Sequence, residues 1–245
     1  MTHQTGYLTP TSDGALAWGE LVEGILIRRY KRFLADVQLA DGQVITAHTA
    51  NTGTMLGCSE PGRRVWLSPH DNPARKYRYT LEMIEMPTAL VGVNTGVPNR
   101  LVATAIRAGR VVELPSTALI RGEVTRGASR LDLLLQTEGG RDTLIEIKNC
   151  SLAEKGIAYF PDAVTVRGVK HLEELARLAR EGLRAVIFIV VQRGDAELFR
   201  PADHIDPAWG AALRSAMHSG VELLVYQADL DLDGITLGKA LSIDI

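Results

Sequence analysis

The sequence predicts a two-domain protein of the α/β (α+β) class, in which a small β-barrel is followed by a domain with a mixed sheet. The first half of the chain carries five or six short strand-like runs within about 75 residues, separated by turn signals. After Val93 the pattern changes, and strand-like runs alternate with helical ones. We therefore assign residues 1–93 to an N-terminal arm and barrel, and residues 94–245 to an α/β domain.

The composition excludes several classes of protein. Apolar residues make up 46% and charged residues 23% of the chain, which is typical of a globular protein and not of a disordered one. The longest wholly apolar run, Ala185–Val191, is far shorter than the roughly 20 residues that a membrane span needs, so no membrane partner is expected. We expect no secretory leader, because Met1–Thr11 is polar, and the two cysteines fit a cytoplasmic setting. The formal net charge of −2 means that any contact with nucleic acid needs locally clustered cations.

The predicted barrel follows an extended arm, Met1–Glu20, that lacks clear periodicity. Turn signals at Asp41-Gly42 and Pro61-Gly62 separate its strands, and Pro87 interrupts the last of them. The predicted strands are Leu21–Arg28, Phe33–Leu39, Val44–Ala47, Arg63–Ser68 and Tyr77–Glu85. Short strands in this number and spacing favour a barrel of the oligonucleotide-binding (OB) type.

The predicted α/β domain combines three helices with five strands. Proline near a helix start, aspartate as an N-cap and glycine after a helix end delimit the helices. The helices are predicted from Pro98 to Ile106, along the apolar stripe Val169, Leu172, Ala176 and Ala179, and from Pro207 to Gly220. The predicted strands are Ile120–Arg126, Leu131–Gln136, Thr143–Lys148, Ala185–Val191 and Val221–Tyr226.

Two acids and a lysine in neighbouring strands are the most informative feature of the sequence. Side chains alternate along a strand, so Glu146 and Lys148 share one face, and Asp132 lies on the face opposite the leucines of its own strand. Those leucines, expected to share the core face, are Leu131, Leu133 and Leu135. If both strands turn their apolar face to the core, a plain two-residue turn at Gly139-Gly140 would turn Asp132 away from Glu146. We therefore predict an odd-length loop or a bulge that pairs Asp132 with Glu146 or Lys148.

This grouping of carboxylates and an ammonium group indicates a metal site. Carboxylates suit Mg²⁺ or Mn²⁺, and the predicted ligands are Asp132, Glu146 and the Ile147 carbonyl, with Lys148 placed to orient an attacking water. Asp followed by Glu-x-Lys resembles the PD-(D/E)xK nuclease signature, with Leu131 in place of proline before the aspartate. The order of helices and strands around it is that of the restriction-endonuclease-like fold. The alternative is a solvated charged face with a cross-strand ion pair.

A further catalytic carboxylate is expected near this site. Glu113, which follows the first predicted helix, is the candidate, and Glu123 in the next strand competes with it. The alternative for either residue is an ordinary surface acid.

Clustered cations provide candidate contacts to nucleic acid. The cations are Arg28, Arg29, Lys31 and Arg32 in the barrel and Arg167 and Lys170 in the second domain, where His171 and the neutral Gln192 are further candidates. The barrel cations stand beside two aromatic residues, a combination that can bind phosphates and stack on bases. Arg167, Lys170 and His171 share one helix face, and Gln192 ends a buried strand at the sheet edge that often binds ligands. For each group the alternative is a solvated turn, helix face or loop.

Four segments resemble the sugar fermentation stimulation protein A family. They are RFLADV (32–37), ANTGTM (50–55), VGVNTGVPNRLV (91–102) and FPDAVTVRGVKHL (160–172). The resemblance implies a prokaryotic DNA-binding protein without marked sequence preference, with an OB-type barrel before a nuclease-like domain and a regulatory link to maltose metabolism. It also implies that Asp132, Glu146 and Lys148 match the nuclease triad, while leaving open whether members cut nucleic acid.

Two hypotheses for function follow. The first is an enzyme that hydrolyses phosphodiesters with Mg²⁺ or Mn²⁺, and the second is a non-catalytic DNA-binding regulator that uses the same charges for binding or structure. DNA is the expected partner in both, with single-stranded DNA and RNA as alternatives. A homodimer is left open.

Overall fold

A computed structural model describes residues 8–126 and 129–245. The first eight strands are β1 (Leu8–Pro10), β2 (Leu16–Trp18), β3 (Val22–Tyr30), β4 (Leu34–Leu39), β5 (Val44–His48), β6 (Arg64–Pro69), β7 (Tyr79–Glu85) and β8 (Leu90–Gly92). Strands β3 to β8 form one sheet in the order β5-β4-β3-β6-β7-β8. His48 of β5 also pairs with Thr80 of β7, which closes the five strands β3 to β7 into a barrel. The predicted OB-type barrel and its strands are therefore confirmed.

The rest of the chain forms the α/β domain. Its elements are α1 (Val97–Arg107), β9 (Leu119–Arg126), β10 (Ser129–Gln136), β11 (Thr143–Cys150), β12 (Leu152–Glu154), β13 (Ile157–Phe160), α2 (Val166–Arg180), β14 (Arg184–Val191), β15 (Leu198–Pro201), α3 (Pro207–His218), β16 (Glu222–Leu230), β17 (Gly234–Ala240) and β18 (Ser242–Ile243). The main sheet has eight strands in the order β1-β2-β17-β16-β14-β11-β10-β9. Strands β11, β14 and β16 run parallel, and their neighbours on either side run antiparallel. The predicted mixed sheet is confirmed.

Helices cover both faces of this sheet, as the continuous apolar run in β14 requires. Helix α1 packs on one face, where Val102 and Ile106 join Phe188 and Val190 in the core. Helices α2 and α3 pack on the other face around Trp209. The predicted start of α3 is confirmed, because the Asp206 side chain accepts a hydrogen bond from the Trp209 N–H at 3.1 Å. No helix in the described ranges is long and apolar enough to cross a membrane.

The N-terminal arm differs from the prediction. Its described part forms β1 and β2, which extend the eight-stranded sheet of the second domain instead of belonging to the barrel. Leu8 and Leu16 are buried in the core beneath α1, and this burial explains why the arm crosses to that domain. A polar, aperiodic segment gives little sign of such pairing, because two three-residue strands are too short to show alternation.

The register of β10 against β11 agrees with the prediction. Leu133 pairs with Ile145 and Leu135 with Thr143, so the paired numbers have an even sum and an odd number of residues, 136–142, separates the last pair. The pairing ends at Leu133 and Ile145, and the preceding residue, Asp132, accepts a hydrogen bond from the Ile147 N–H with its side chain. The expected core face is wrong at one position: Leu131 packs against α2 and α3, whereas Leu133 packs beneath α1. The alternation therefore breaks at Asp132, which turns its side chain along the backbone of β11.

One buried acid in the barrel makes the stability depend on pH. Glu82 in β7 is fully buried and accepts hydrogen bonds from the Ser68 hydroxyl (2.6 Å) and the Asn94 amide (2.8 Å). Burial raises the pKa of Glu82 to about 7, despite the opposing effect of these hydrogen bonds. Between its ordinary pKa of 4.5 and this raised value, the folded protein binds more protons than the unfolded chain. The burial of Glu82 therefore does not lower the free energy of unfolding below pH 4.5, lowers it progressively as the pH rises from 4.5 to 7, and lowers it by the full amount above pH 7.

We expect Glu82→Gln to gain stability relative to the wild type as the pH rises. The relative gain between pH 4.5 and pH 8 should be about 3 kcal/mol, since an amide has no charge to bury. Urea unfolding of both proteins across this pH range measures the difference. A difference in the free energy of unfolding that stays constant with pH would contradict a raised pKa at Glu82.

Candidate metal and nucleic-acid site

The carboxylates Asp132 and Glu146 lie in a pocket of about 860 Å³ between the barrel and the second domain. Four parts of the chain form its walls: the end of β3 with the loop after β5, the start of α1, the strand pair β10 and β11, and the segment that leads into α2. The lining residues include Arg29, Arg32, residues 51–54, Asn99, Asp132, residues 146–149, Asp162, Arg167 and His171. The pocket is therefore a joint product of both domains.

Asp132 is fixed by hydrogen bonds to both of its oxygens. Oδ1 accepts a hydrogen bond from Nδ2 of Asn99 in α1 at 2.8 Å, and Oδ2 accepts one from the Ile147 N–H at 2.7 Å. Burial raises the pKa of Asp132, and the neighbouring charge of Glu146 raises it further. Both carboxylates line the same pocket, and a divalent cation would relieve the repulsion between their charges.

Glu146 is 2% exposed and has two oxygens in different situations. Oε1 accepts a hydrogen bond from Nζ of Lys148 at 2.6 Å and contacts Nδ1 of His171. Burial alone would raise the pKa of Glu146, but the hydrogen bond from His171 and the charge of Lys148 outweigh it, so the pKa is lowered. Oε2 is buried and has no hydrogen-bond partner in the described residues. An ionised carboxylate with one buried free oxygen is costly unless a cation or a donor binds there.

His171 and Arg167 complete the positive side of the pocket. Nε of Arg167 donates to Nε2 of His171 at 3.2 Å, so this ring nitrogen is the acceptor and Nδ1 carries the proton that faces Glu146. Nζ of Lys148 lies 3.3 Å from the same Nδ1. The side chains of Lys148 and His171 therefore converge on Oε1 of Glu146, and Oε2 is left without a hydrogen-bond partner among the described residues.

The residues of the pocket fit a hard divalent cation that keeps several waters. The described residues contain no group of three or more His, Cys, Asp or Glu side chains that could enclose a metal. The protein instead offers two carboxylates, Asp132 and Glu146, together with the Ile147 carbonyl, and Ile147 also lines the pocket. Few protein ligands and open positions for water or phosphate are typical of Mg²⁺ and Mn²⁺ sites.

The barrel cations predicted from sequence divide into two pairs. Arg28 donates to Asp36 at 2.8 Å, and the three carbonyls of Asn51, Gly53 and Thr54 accept hydrogen bonds from Arg29, so both side chains serve the barrel itself. Lys31 and Arg32 are exposed and have no ion-pair partner in residues 8–126 and 129–245, and Arg32 lines the pocket. Both have positive φ angles, 49° and 67°, a backbone conformation that non-glycine residues adopt at an energetic cost and often at functional sites.

The candidates of the second domain divide in the same way. Arg167 and His171 line the pocket, whereas Lys170 is exposed and is not among the lining residues. Gln192 is 1% exposed and donates to Oδ1 of Asn149 at 2.5 Å and to the Asn94 carbonyl at 3.2 Å. Its amide nitrogen therefore supports the pocket from behind and does not face a ligand.

The two further acids lie outside the pocket. Glu113 accepts a hydrogen bond from the Tyr226 hydroxyl at 2.6 Å, and its carbonyl accepts one from Arg184 at 2.9 Å. Glu123 is exposed and forms an ion pair with Arg130 at 3.3 Å. Neither acid lines the pocket: Glu113 is held by Tyr226, and Glu123 is turned to solvent although its strand pairs with β10 on either side of Asp132.

A repeated tripeptide in the sequence marks one wall of the pocket, although the repeat alone did not indicate this role. Asn-Thr-Gly occurs twice, at residues 51–53 and 94–96. Each asparagine closes a turn of the same kind. Its Oδ1 accepts a hydrogen bond from the N–H of the glycine two residues later, at 2.8 Å in the first turn and 2.9 Å in the second. The two turns meet where the Thr95 hydroxyl donates to the Ala50 carbonyl at 3.1 Å. The repeated tripeptide thus forms the junction between the domains on one wall of the pocket.

Comparisons with known proteins agree with this architecture. A family profile described as "Sugar fermentation stimulation protein RE domain" matches residues 96–234, and one described as "SfsA N-terminal OB domain" matches residues 27–93. A sugar fermentation stimulation protein homolog of Geobacter metallireducens is 53% identical over 91% of this chain and 97% of its own length. A homolog of the same description from Thioalkalivibrio sulfidiphilus is 50% identical over 92% of this chain and 96% of its own.

A solved structure has the same fold over nearly the whole chain. It is described as "The structure of Pyrococcus Furiosus SfsA in complex with Ca2+" and has a TM-score of 0.86 at 28% sequence identity. The match covers 94% of this chain and 98% of that one. The pairing of barrel and α/β domain is therefore shared across distant relatives.

Proposed function

The chain belongs to the sugar fermentation stimulation protein family, and from this premise we propose that it binds DNA without marked sequence preference and hydrolyses phosphodiester bonds in the pocket between its domains. One observation carries the catalytic part: Oε2 of Glu146 is buried without a partner among the described residues, in the same pocket as Asp132. Asp132, Glu146 and the Ile147 carbonyl would hold the cation. The Ca²⁺ complex of a relative supports this, because Ca²⁺ and Mg²⁺ both take oxygen ligands.

The side chains around the carboxylates have separate tasks. Bound Mg²⁺ or Mn²⁺ supplies polarisation of a phosphate oxygen. Lys148 is held by Glu146 at 2.6 Å, so its ammonium group is fixed where it can orient a water molecule and stabilise charge that develops on the phosphate. His171 points its Nδ1 proton at Glu146. Arg167 fixes this tautomer by donating a hydrogen bond to the other ring nitrogen, Nε2. Asn99 and the Ile147 N–H hold the Asp132 carboxylate in one orientation.

The exposed cations at the rim account for DNA binding. Lys31, Arg32 and Arg167 carry positive charge beside a pocket whose floor is acidic. Phosphates of a strand can pair with them while one phosphodiester reaches the carboxylates. This arrangement resolves the apparent conflict between DNA binding and a net charge of −2, since the positive charge is local.

A second candidate function, a non-catalytic DNA-binding regulator with a role in sugar metabolism, is favoured by a different observation. Both oxygens of Asp132 already accept hydrogen bonds, and Oε1 of Glu146 is already paired with Lys148 and in contact with His171. The same groups could therefore form a purely structural network. Incubation of the protein with single- and double-stranded DNA and RNA, with Mn²⁺, Mg²⁺ or a chelator, separates the two. Cleavage that requires the metal supports the enzyme, and no cleavage of any substrate supports the regulator.

We expect DNA binding to weaken steeply with salt, and Lys31→Ala/Arg32→Ala to reduce the slope of log K against log salt by about 2. Each cation contributes about one released counterion, and neither is neutralised by a carboxylate in the described chain. Arg64→Ala is the matched control, because Arg64 lies on the same barrel but is paired with Glu85 at 2.6 Å. Fluorescence anisotropy at several salt concentrations measures the slope. An equal change in the control would show that these two residues do not contact phosphates.

A further inference from the structure

Asp162 joins the two domains at the wall of the pocket. It lies between β13 and α2 and lines the pocket. Its Oδ2 accepts hydrogen bonds from the Met55 N–H at 2.8 Å and from the Thr54 hydroxyl at 3.2 Å, and its own carbonyl accepts a hydrogen bond from that hydroxyl at 2.7 Å. These contacts hold the loop after β5, here called the wall loop (residues 51–55), against the second domain.

Arg29 holds the same loop from the barrel. Its guanidinium donates to the carbonyls of Asn51, Gly53 and Thr54 at 2.8, 2.7 and 3.0 Å. The wall loop therefore lies between a cation that binds its carbonyls and a carboxylate that binds an N–H and a hydroxyl. Hydrogen bonds to charged groups are stronger than those between neutral groups, so the loop is held firmly from both domains.

The local backbone is adapted to this contact. A Cβ atom on Gly53 would lie 2.8 Å from Oδ1 of Asp162, so only glycine permits the observed approach. Met55 has a φ of 53°, an uncommon conformation for a non-glycine residue, while its side chain is fully buried in the barrel. In this conformation the Met55 N–H donates its hydrogen bond to Asp162. Both features are explained by the contact with Asp162.

We infer that Asp162 is a positioning residue for nucleic-acid binding: it fixes the wall loop so that the loop's polar groups form the barrel side of the pocket that receives the strand. This inference rests on the proposed function, because it assumes that DNA enters the pocket. Asp162 makes no contact with Asp132, Glu146 or Lys148 among its hydrogen bonds in the described chain, so it acts on the placement of the substrate and not on the reacting groups.

The test compares Asp162→Ala, Gly53→Ala and the combined variant. Each single variant should raise the dissociation constant for DNA, and the KM for cleavage, by about tenfold, since charge-assisted hydrogen bonds are lost or displaced. The kcat at saturating DNA should stay within about twofold of the wild type. The losses in the combined variant should be clearly less than additive, because the methyl group added at position 53 then meets only Oδ1 of Asn51, at 3.0 Å, and no longer the carboxylate.

Two more variants and a hydrogen-exchange measurement complete the test. Asp162→Asn preserves the shape of the side chain and should show an intermediate loss, and Asp203→Ala, an acid outside the pocket, should show none. Hydrogen exchange at the Met55 N–H should accelerate in Asp162→Ala, and this readout does not depend on DNA. Fully additive losses in the combined variant, or a fall in kcat with KM unchanged, would overturn the positioning role.

The outcomes also separate this inference from the proposed function. If the wild type neither binds nor cleaves DNA, the proposed function fails and the role of Asp162 in binding fails with it, while accelerated exchange at Met55 would still show the contact. If the wild type binds DNA and Asp162→Ala binds equally well, the inference alone is overturned.

Discussion

Asp132→Asn is expected to lower metal-dependent DNA cleavage by at least about a hundredfold, because it removes one of two carboxylates that would hold the cation. An asparagine has a single side-chain oxygen, whereas Asp132 accepts hydrogen bonds at both oxygens, from Asn99 and from the Ile147 N–H. In the variant, the side-chain NH₂ group would face one of these two donors, so that hydrogen bond would be lost. A loss of about 1–3 kcal/mol in stability should accompany the loss of activity.

The measurement is the single-turnover cleavage rate at saturating DNA, read beside a thermal unfolding curve of each protein. Glu138→Gln is the control, because Glu138 is an exposed acid in the hairpin loop between the same two strands. It removes the same charge without touching the pocket. Cleavage by Asp132→Asn at the wild-type rate, while the protein remains folded, would remove Asp132 from the catalytic site.

Glu146→Gln is expected to abolish the stabilisation of the protein by Mn²⁺. A ligand that binds only the folded state at 100 times its dissociation constant adds about 2.7 kcal/mol to the free energy of unfolding. The wild type should show this gain, and the variant should not, because its amide cannot offer an anionic Oε2 to a cation. Without metal the variant should also be less stable than the wild type by about 3–5 kcal/mol, since Lys148 and His171 lose their buried partner.

Lys148→Gln is the matched control for this effect. It removes the ammonium group that lies 2.6 Å from Glu146 but keeps both carboxylates, so the stabilisation by Mn²⁺ should persist or increase while cleavage falls. Thermal unfolding with and without Mn²⁺ measures all three proteins. If the metal stabilises Glu146→Gln as much as the wild type, the cation binds elsewhere.

The parts of the fold that could be predicted are those in which one local pattern decides the structure. The barrel strands are short apolar-rich runs, and the turn signals between them set their ends. The apolar run Ala185–Val191 identifies the central strand β14, which is buried on both faces. The parity of Asp132 and Glu146 required an odd-length loop, and the observed pairing of Leu133 with Ile145 confirms this register.

The parts that could not be predicted depend on contacts between distant segments. Strands β12, β13, β15 and β18 have two to four residues each, which is too short for a periodic pattern. The arm joins the far sheet because Leu8 and Leu16 fill space under α1, and no local signal in the arm states that destination.

The same distinction applies to the site. The spacing of Asp132, Glu146 and Lys148 follows from strand geometry, so their proximity could be predicted. The partners of Glu113, Arg29 and Gln192 are Tyr226, the wall loop and Asn149, which come from other parts of the chain. Charge in the sequence therefore identified candidates, while the fold decides which of them face the pocket.

The central claim is that Asp132 and Glu146 hold a divalent cation in the pocket between the domains. Anomalous scattering from crystals of the protein grown with Mn²⁺ tests it most directly. We predict a peak about 2.1 Å from oxygens of Asp132 and Glu146, close to the Ile147 carbonyl. A peak at another place, or none at a Mn²⁺ concentration that supports cleavage, would contradict the account.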